Sequence, residues 1–264
     1  MNDHDKGATT LFDGASSSTT RTVFNYPVAA SIPLRQIDRS FFNRSPLLVA
    51  PELLGKLLVK EEAKRDGATR KLVGRIVETE AYTQDDPAAH AWGVVDIATG
   101  LIKPSGRGYG LFAPPGTSYV YLCYGVHWLL NVVTEREGLA GCVLIRALEP
   151  VAGLNRMFEH RPAAIRESDL MNGPGKLTQA MGIDGRHHGV DLCSGPIYFA
   201  SDEKRKPKIL TSSRVGITRA IDRPWRYFAA DNRFVSPGIP SDVAAARRRF
   251  TQRSPRPILP SRES

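Results

Sequence analysis

Residues 72–82 read Leu-Val-Gly-Arg-Ile-Val-Glu-Thr-Glu-Ala-Tyr, a period-two alternation that commits this stretch to a β-strand. Alternation places Ile76, Glu78, Glu80 and Tyr82 on one face, so two carboxylates and a phenol share a side with an isoleucine. The apolar strands that follow need that face covered, and a carboxylate left on it has to be satisfied or put to use. The plain alternative is a solvated strand face. Arg146, in Cys-Val-Leu-Ile-Arg-Ala-Leu-Glu-Pro, poses the complementary problem, because alternation sets it among Cys142, Leu144 and Leu148. An arginine among apolar neighbours wants an acid or an anion opposite it, and Glu80 is the natural partner.

Strand-like runs recur at 118–124, 127–134, 141–149, 196–200 and 208–218, and helical patterns fill 151–160 and 174–182. The segment Ser-Pro-Leu-Leu-Val-Ala-Pro-Glu-Leu-Leu-Gly-Lys-Leu-Leu-Val-Lys reads as a helix running into a strand, with Pro51 near the helix start. Strands in succession with helices inserted late predict an α+β fold, not a regular βαβ order. Residues 1–33 are polar and aperiodic, as in Asp-Gly-Ala-Ser-Ser-Ser-Thr-Thr, and read as a disordered lead. One domain is expected over 34–240, followed by a basic, disordered tail over 241–264.

Lysine and arginine exceed the acids by 36 to 27, a net charge of +9, so an acidic polymer or surface is the first partner to consider. No apolar run approaches the roughly 20 residues needed to span a bilayer, which predicts a soluble, intracellular protein with no membrane partner. Cys123, Cys142 and Cys193 are scattered through apolar surroundings, as reduced core thiols are. The histidines form no HExxH, no CxxC is present, and no metal site is expected; His187-His188 reads as a solvated loop pair. Gly106–Gly110, Gly-Arg-Gly-Tyr-Gly, lacks the spacing of a phosphate loop and reads as a surface turn. In Gly116–Asn131, alternation sets Tyr119, Tyr121 and Cys123 on one side and Val120, Leu122 and Tyr124 on the other before Gly125 turns the chain. Tyr124 then stands at a turn tip, either folded over the hairpin end or free to wedge between base steps of DNA. Tyr82 and His90, with acids between them, outline a slot for a planar ligand such as a nucleobase.

Taken together, GRIVETEAY, DDPAAHA, LFAPPGTSYVYLCYGVHWLLNVVT, CVLIRALEP, NGPGKLTQAMGID and RVGIT followed by PWRYF resemble the alkyladenine (3-methyladenine, or alkylpurine) DNA glycosylase family. The likeness runs in order from about Leu34 to Pro237. It implies one domain built on a curved, mostly antiparallel sheet with surrounding helices, like the C-terminal domain of formyltransferases. It also implies a monomer that needs no cofactor and acts on damaged purines in double-stranded DNA. By motif position, Glu80 would be the general base, and Arg146, with a main-chain carbonyl near Val215, would help hold the water. Tyr82 and His90 would stack on one face of the flipped base and Tyr121 on the other. Tyr124 would fill the gap in the duplex, and Asn131 would crowd the 2-amino group of guanine. Between His90 and Leu111 the chain departs from the pattern, with a longer and less basic run where many members carry a short basic one.

Glycoside hydrolysis usually takes two carboxyl groups, but an alkylated purine is already cationic and leaves with little acid help, so one suffices. No lysine lies in the catalytic blocks, GRIVETEAY and CVLIRALEP, so neither Schiff base nor strand cleavage is expected. Two other readings compete. A non-catalytic DNA-binding module would use the same basic face, yet it has no use for Glu80 beside the slot. A folate-dependent formyl-transfer domain shares the architecture but has no cofactor motif here.

Overall fold

The computed structural model describes residues 34–64, 66–96, 102, 106–202 and 206–253, and its elements follow from the alternating runs. A two-residue strand β1 (Arg35–Gln36) and a single helical turn α1 (Arg39–Phe42) lead to α2 (Pro46–Leu53). Ser45 caps α2 by accepting the Leu47 N–H at 3.3 Å, and Pro46 supplies the preset φ of the first turn. The helix therefore starts at Pro46, and Pro51, expected near the start, lies inside it.

Strands β2 (Leu57–Ala63), β3 (Thr69–Thr83), β4 (Ser118–Cys123), β5 (His127–Val133) and β6 (Gly141–Ala152) come next. Helices α3 (Leu154–His160), α4 (Glu167–Leu170) and α5 (Pro174–Met181) follow, then β7 (Ile197–Ser201), β8 (Ile209–Ser212), β9 (Arg226–Ala229) and α6 (Ser241–Arg253). The nine described strands form one sheet in the order β1-β7-β2-β3-β6-β5-β4, with β9 joining β8 to β3, and every pairing is antiparallel. This is an α+β fold with an open antiparallel sheet. Val49 and Leu53 of α2 and Leu177 and Met181 of α5 bury one face of it with Leu72, Ile76, Ala81, Val120, Leu130, Ile145 and Leu148. The opposite face carries smaller clusters, around Tyr119, Val133 and Cys142 and around Val77 and Ala147.

Two bulges decide which side chains reach that second face. On β3, Val77 and Glu78 both stand opposite Ala147; on β6, Arg146 is passed over between Ala147 and Ile145. Each bulge reverses the alternation. Ile76 is thereby sent to the helix-covered face while Glu78, Glu80 and Tyr82 stay on the other, so the four do not share a side as simple alternation requires. Leu148 parts from Arg146 for the same reason. A one-residue slip moves the apolar half of β3 into the core and leaves its acidic half facing away from it.

The expected strand 208–218 stops at Ser212, since Gly216 takes a positive φ (78°) and the chain turns there. Residues 241–253, expected as disordered tail, form α6. Alanine and arginine are strong helix formers, and the start is pinned by the Ser241 N–H donating to the Arg214 carbonyl at 2.9 Å and by Ser213 bonding Asp242. The expected lead 1–33 and the last residues, 254–264, lie outside the described residues.

Candidate active site

Glu80, Tyr82, His90, Tyr121, Tyr124, Asn131, Arg146 and Val215 all border one cavity of about 800 Å³. The sequence scatters them from position 80 to 215, and the second face of the sheet brings every one together. Glu80 projects from β3 with both carboxylate oxygens held. Its Oε1 accepts the Val215 N–H at 2.7 Å and lies 3.2 Å from an Arg146 Nη, and its Oε2 accepts the Tyr82 hydroxyl at 2.9 Å. The side chain borders the cavity yet exposes no surface, so it lies flush in the wall beneath its donors, and a reactant has to come to it. Val215 meets Glu80 through its N–H, where a main-chain carbonyl near Val215 was expected to act; here it orients the carboxylate.

Arg146 is shared between two acids. Its Nε donates to Glu78 at 2.7 Å, a shorter contact than that to Glu80. Burial works against the guanidinium charge, but Glu80 and Glu78 outweigh it and hold the pKa above the ordinary arginine value, so the charge is permanent. Glu78 is not on a solvated face. It is fully buried, and it accepts from Arg146 Nε and Arg226 Nε at 2.7 Å each, from the Ser236 N–H at 2.7 Å and from the Ser236 hydroxyl at 2.9 Å. Glu78 anchors the arginine that faces Glu80.

The rings are fixed from behind. Arg214, fully buried and paired with the buried Asp86, lies with its Cζ 4.5 Å from the Tyr82 ring centroid and donates to the Ala81 carbonyl at 3.1 Å. Tyr119 donates its hydroxyl proton to the Arg107 carbonyl, so the His90 Nδ1, 2.9 Å from the same oxygen, must be the donor of that contact. This fixes the tautomer with Nε2 bare. Burial, helped by the Arg107 charge, lowers the His90 pKa to about 4, so the ring is neutral at physiological pH. His90 and Tyr121 meet edge to face with centroids 4.5 Å apart, whereas a base stacked between them needs about 7–8 Å, two van der Waals contacts. The expected slot between these two rings is closed in this structure, and a base entering there has to part them.

At the hairpin tip Tyr124 (φ 50°) and Gly125 (φ 72°) both have positive φ, the sign pattern of a type I′ turn, closed by the Val126 N–H donating to the Cys123 carbonyl at 3.1 Å. Such turns favour Asn-Gly, and a tyrosine in the left-handed region costs about 1–2 kcal/mol. Tyr124 is 89% exposed at the cavity mouth, not folded over the hairpin end. Asn131 lies in the floor with its Nδ2 donating to the Tyr119 carbonyl at 3.0 Å.

The remaining candidates are structural. Gly108 packs against the His90 carbonyl with no room for a Cβ while Gly106, Arg107 and Tyr109 are exposed, so the glycine-rich run is a surface turn anchored at Gly108 that brings Arg107 to the cavity. His187 completes a capping box with Asp184, and the His188 Nδ1 accepts the Val120 N–H at 3.2 Å. Asp86, Arg214, Arg226 and Ser236 escaped the sequence reading, since nothing local marks an arginine or serine as buried.

A mostly antiparallel α+β domain that walls a cavity with a fixed carboxylate, a permanent guanidinium and aromatic rings is equipped as a hydrolase for a planar, ring-bearing group. Residues 40–233 match the methylpurine-DNA glycosylase family, and the chain belongs to that family, a DNA glycosylase of base excision repair. It is 52% identical over 210 residues to a protein of Salinibacter ruber provisionally named 3-methyladenine DNA glycosylase, covering 79% of this chain and 100% of that one. Proteins of the same provisional name from Chlorobium luteolum (42% over 210 residues; 79% and 100% covered) and Chlorobaculum tepidum (40% over 212 residues; 78% and 95%) are also similar. No described helix is long and apolar enough to cross a membrane.

Proposed function

We propose that this chain, through a domain spanning 34–240, excises alkylated or deaminated purines from double-stranded DNA inside the cell as a monomer. Its substrates would be 3-methyladenine, 7-methylguanine, hypoxanthine and ethenoadenine, each removed by hydrolysis of the N-glycosidic bond in one step to leave an abasic site. The reading is carried by Glu80, a carboxylate held by Val215, Arg146 and Tyr82 at the wall of a cavity large enough for a nucleotide. The extruded base lies against Tyr82 and His90 on one side and Tyr121 on the other, with Asn131 facing its 2-position. Glu80 takes a proton from the water that attacks the anomeric carbon, and its charge, with Arg146 beside it, stabilises the oxocarbenium-like sugar. Lys176 borders the cavity but is held by Asn172, its Nζ donating to Oδ1 at 2.7 Å, and it is no part of the Glu80–Arg146 pair, so hydrolysis proceeds without a Schiff base and the strand is not cut.

The leaving group sets the pH dependence. His90 is neutral and holds its one proton on Nδ1 toward Tyr119, so it does not protonate a departing base. A cationic lesion leaves unaided; hypoxanthine needs a proton from solvent. Single-turnover release of free base is therefore expected from duplexes bearing one 7-methylguanine or one hypoxanthine, with the hypoxanthine rate falling more steeply than the 7-methylguanine rate as pH rises from 6 to 9. Tight binding of both duplexes with no base released at any pH would leave a DNA-binding module instead, and identical alkaline limbs would place a general acid in the site.

The wedge has its own test. Flipping a base costs a few kcal/mol, offset by stacking in the cavity and by Tyr124 filling the gap it leaves. Tyr124→Ser is expected to weaken capture of a lesion duplex by about 10-fold, in line with the loss of one aromatic stacking contact. Unchanged lesion affinity in fluorescence anisotropy would remove Tyr124 from the flipping step.

A further inference from the structure

The side chain of Asn131 is held at both ends. The Tyr119 carbonyl only accepts, so the amide group facing it at 3.0 Å is Nδ2, and Oδ1 faces Cys142, whose Sγ donates to it at 3.8 Å. The three residues come from adjacent strands, Tyr119 opposite Asn131 across β4 and β5, and Cys142 opposite Val133 across β5 and β6. Cys142 also stands opposite Tyr82 across β6 and β3, so it sits between the stacking ring and the amide. It borders the cavity and is 4% exposed. Burial, with the Asp86 charge adding to it, pushes the thiol up to about 12, so it keeps its proton and remains a donor.

A purine with a 2-amino group brings N–H donors to Asn131, and only a free acceptor would welcome them. Oδ1 is the only acceptor on that side chain. We propose that Cys142 is a positioning residue for base selectivity: by donating to Oδ1 it holds the Asn131 oxygen toward β6 and keeps it from a guanine-type 2-amino group. The thiol touches the amide, not the bond that breaks, so its removal changes which base is taken and leaves the hydrolytic step in place. The inference rests on the reading above, that the excised base meets Asn131.

The test is a ratio. Single-turnover rates are measured on two otherwise identical duplexes, one bearing 7-methylguanine, which carries the 2-amino group, and one bearing hypoxanthine, which lacks it. Cys142→Ala and Cys142→Val are expected to raise the 7-methylguanine to hypoxanthine ratio roughly 2- to 5-fold, the factor one weak S–H···O hydrogen bond supplies. Cys142→Ser, which restores a donor, is expected to bring the ratio back. The valine variant fills the space of the thiol, so the experiment stands even if alanine weakens the fold. Both rates falling by one common factor would overturn the inference, and so would serine moving the ratio as far as alanine. Asn131→Ala separates the two levels of the argument: if it leaves the ratio unmoved, the placement of the base against Asn131 fails. If it moves the ratio while the Cys142 variants do not, only the role of Cys142 fails.

Discussion

Glu80→Gln is expected to slow single-turnover base release by roughly 10²- to 10⁴-fold, the usual loss for a well-placed general base. Affinity for a lesion duplex is expected to stay close to that of the parent chain. The surroundings of the side chain make glutamine a clean probe. Its amide oxygen can still accept the Val215 N–H that now meets Oε1 at 2.7 Å, and its nitrogen then faces the Tyr82 hydroxyl, which can turn from donor to acceptor. Arg146 keeps Glu78 as counter-ion, so no buried cation is stranded. What disappears is the negative charge and the ability to take a proton from water. Alanine at this position would remove the group that Val215, Tyr82 and Arg146 all address, and it would confuse misplacement with lost chemistry. Rapid-quench measurement of released base, beside fluorescence anisotropy on the same duplex, separates the two quantities. Release by the glutamine variant within a few-fold of the parent rate would strip Glu80 of its role and leave the cavity without a base.

The sheet was legible in the sequence wherever alternation was strict. Residues 118–133 and 141–149 predict β4, β5 and most of β6, because each strand keeps one apolar face and has a glycine or polar turn at its end. The faces themselves were not fully legible. A bulge adds one residue without altering composition, so nothing in Ile76-Val77-Glu78 announces that Ile76 and Glu78 part company, and the same holds for Arg146 and Leu148. Glu80, Arg146, Tyr82 and Tyr124 stood out because an acid, an arginine or a ring in an apolar strand is conspicuous, whereas Asn131 and Val215 were legible only through the family resemblance. The residues that hold these side chains did not stand out. Ser236 lies 158 positions from Glu78, Arg226 lies 148 away, and Arg214 lies 133 from the Ala81 carbonyl it grips. Contacts of that range arise only once β9 and the turn after β8 fold over β3. The turn at Tyr124-Gly125 was legible from its glycine, but the left-handed backbone of Tyr124 was not. A tyrosine at positive φ runs against the local preference of the chain, and such conflicts gather at sites where a side chain is held out for use.

Glu78→Ala is expected to destabilise the domain by about 3–5 kcal/mol, the cost of removing one partner from a buried ion pair and leaving its charge uncompensated. A drop in melting temperature of about 10 °C follows for a domain of this size. The carboxylate accepts four hydrogen bonds, two of them from Arg146 and Arg226, which are only 5% and 4% exposed. Without it, Arg146 retains Glu80 but Arg226 loses its only acidic partner among the described residues, and two Ser236 donors are orphaned as well. The pH dependence identifies the cause. Burial by itself would raise the pKa of Glu78, but Arg146 and Arg226 outweigh it and hold the carboxyl below the ordinary glutamate value. A carboxyl depressed on folding contributes stability that is present above its unfolded pKa, near 4.3, and is lost as the pH falls through its lower folded value. The gap between parent and variant in urea denaturation is therefore expected to be full at pH 7 and to narrow below about pH 4. A gap that keeps its size down to pH 3 would mean that cavity formation, not charge, sets the loss. The same substitution frees one side of Arg146, so residual base release in the folded variant reports how far the guanidinium depends on Glu78 to face Glu80. If release stays at the parent level while stability falls, Glu80 alone suffices to hold Arg146 in place, and the buried acid serves the fold without serving the chemistry.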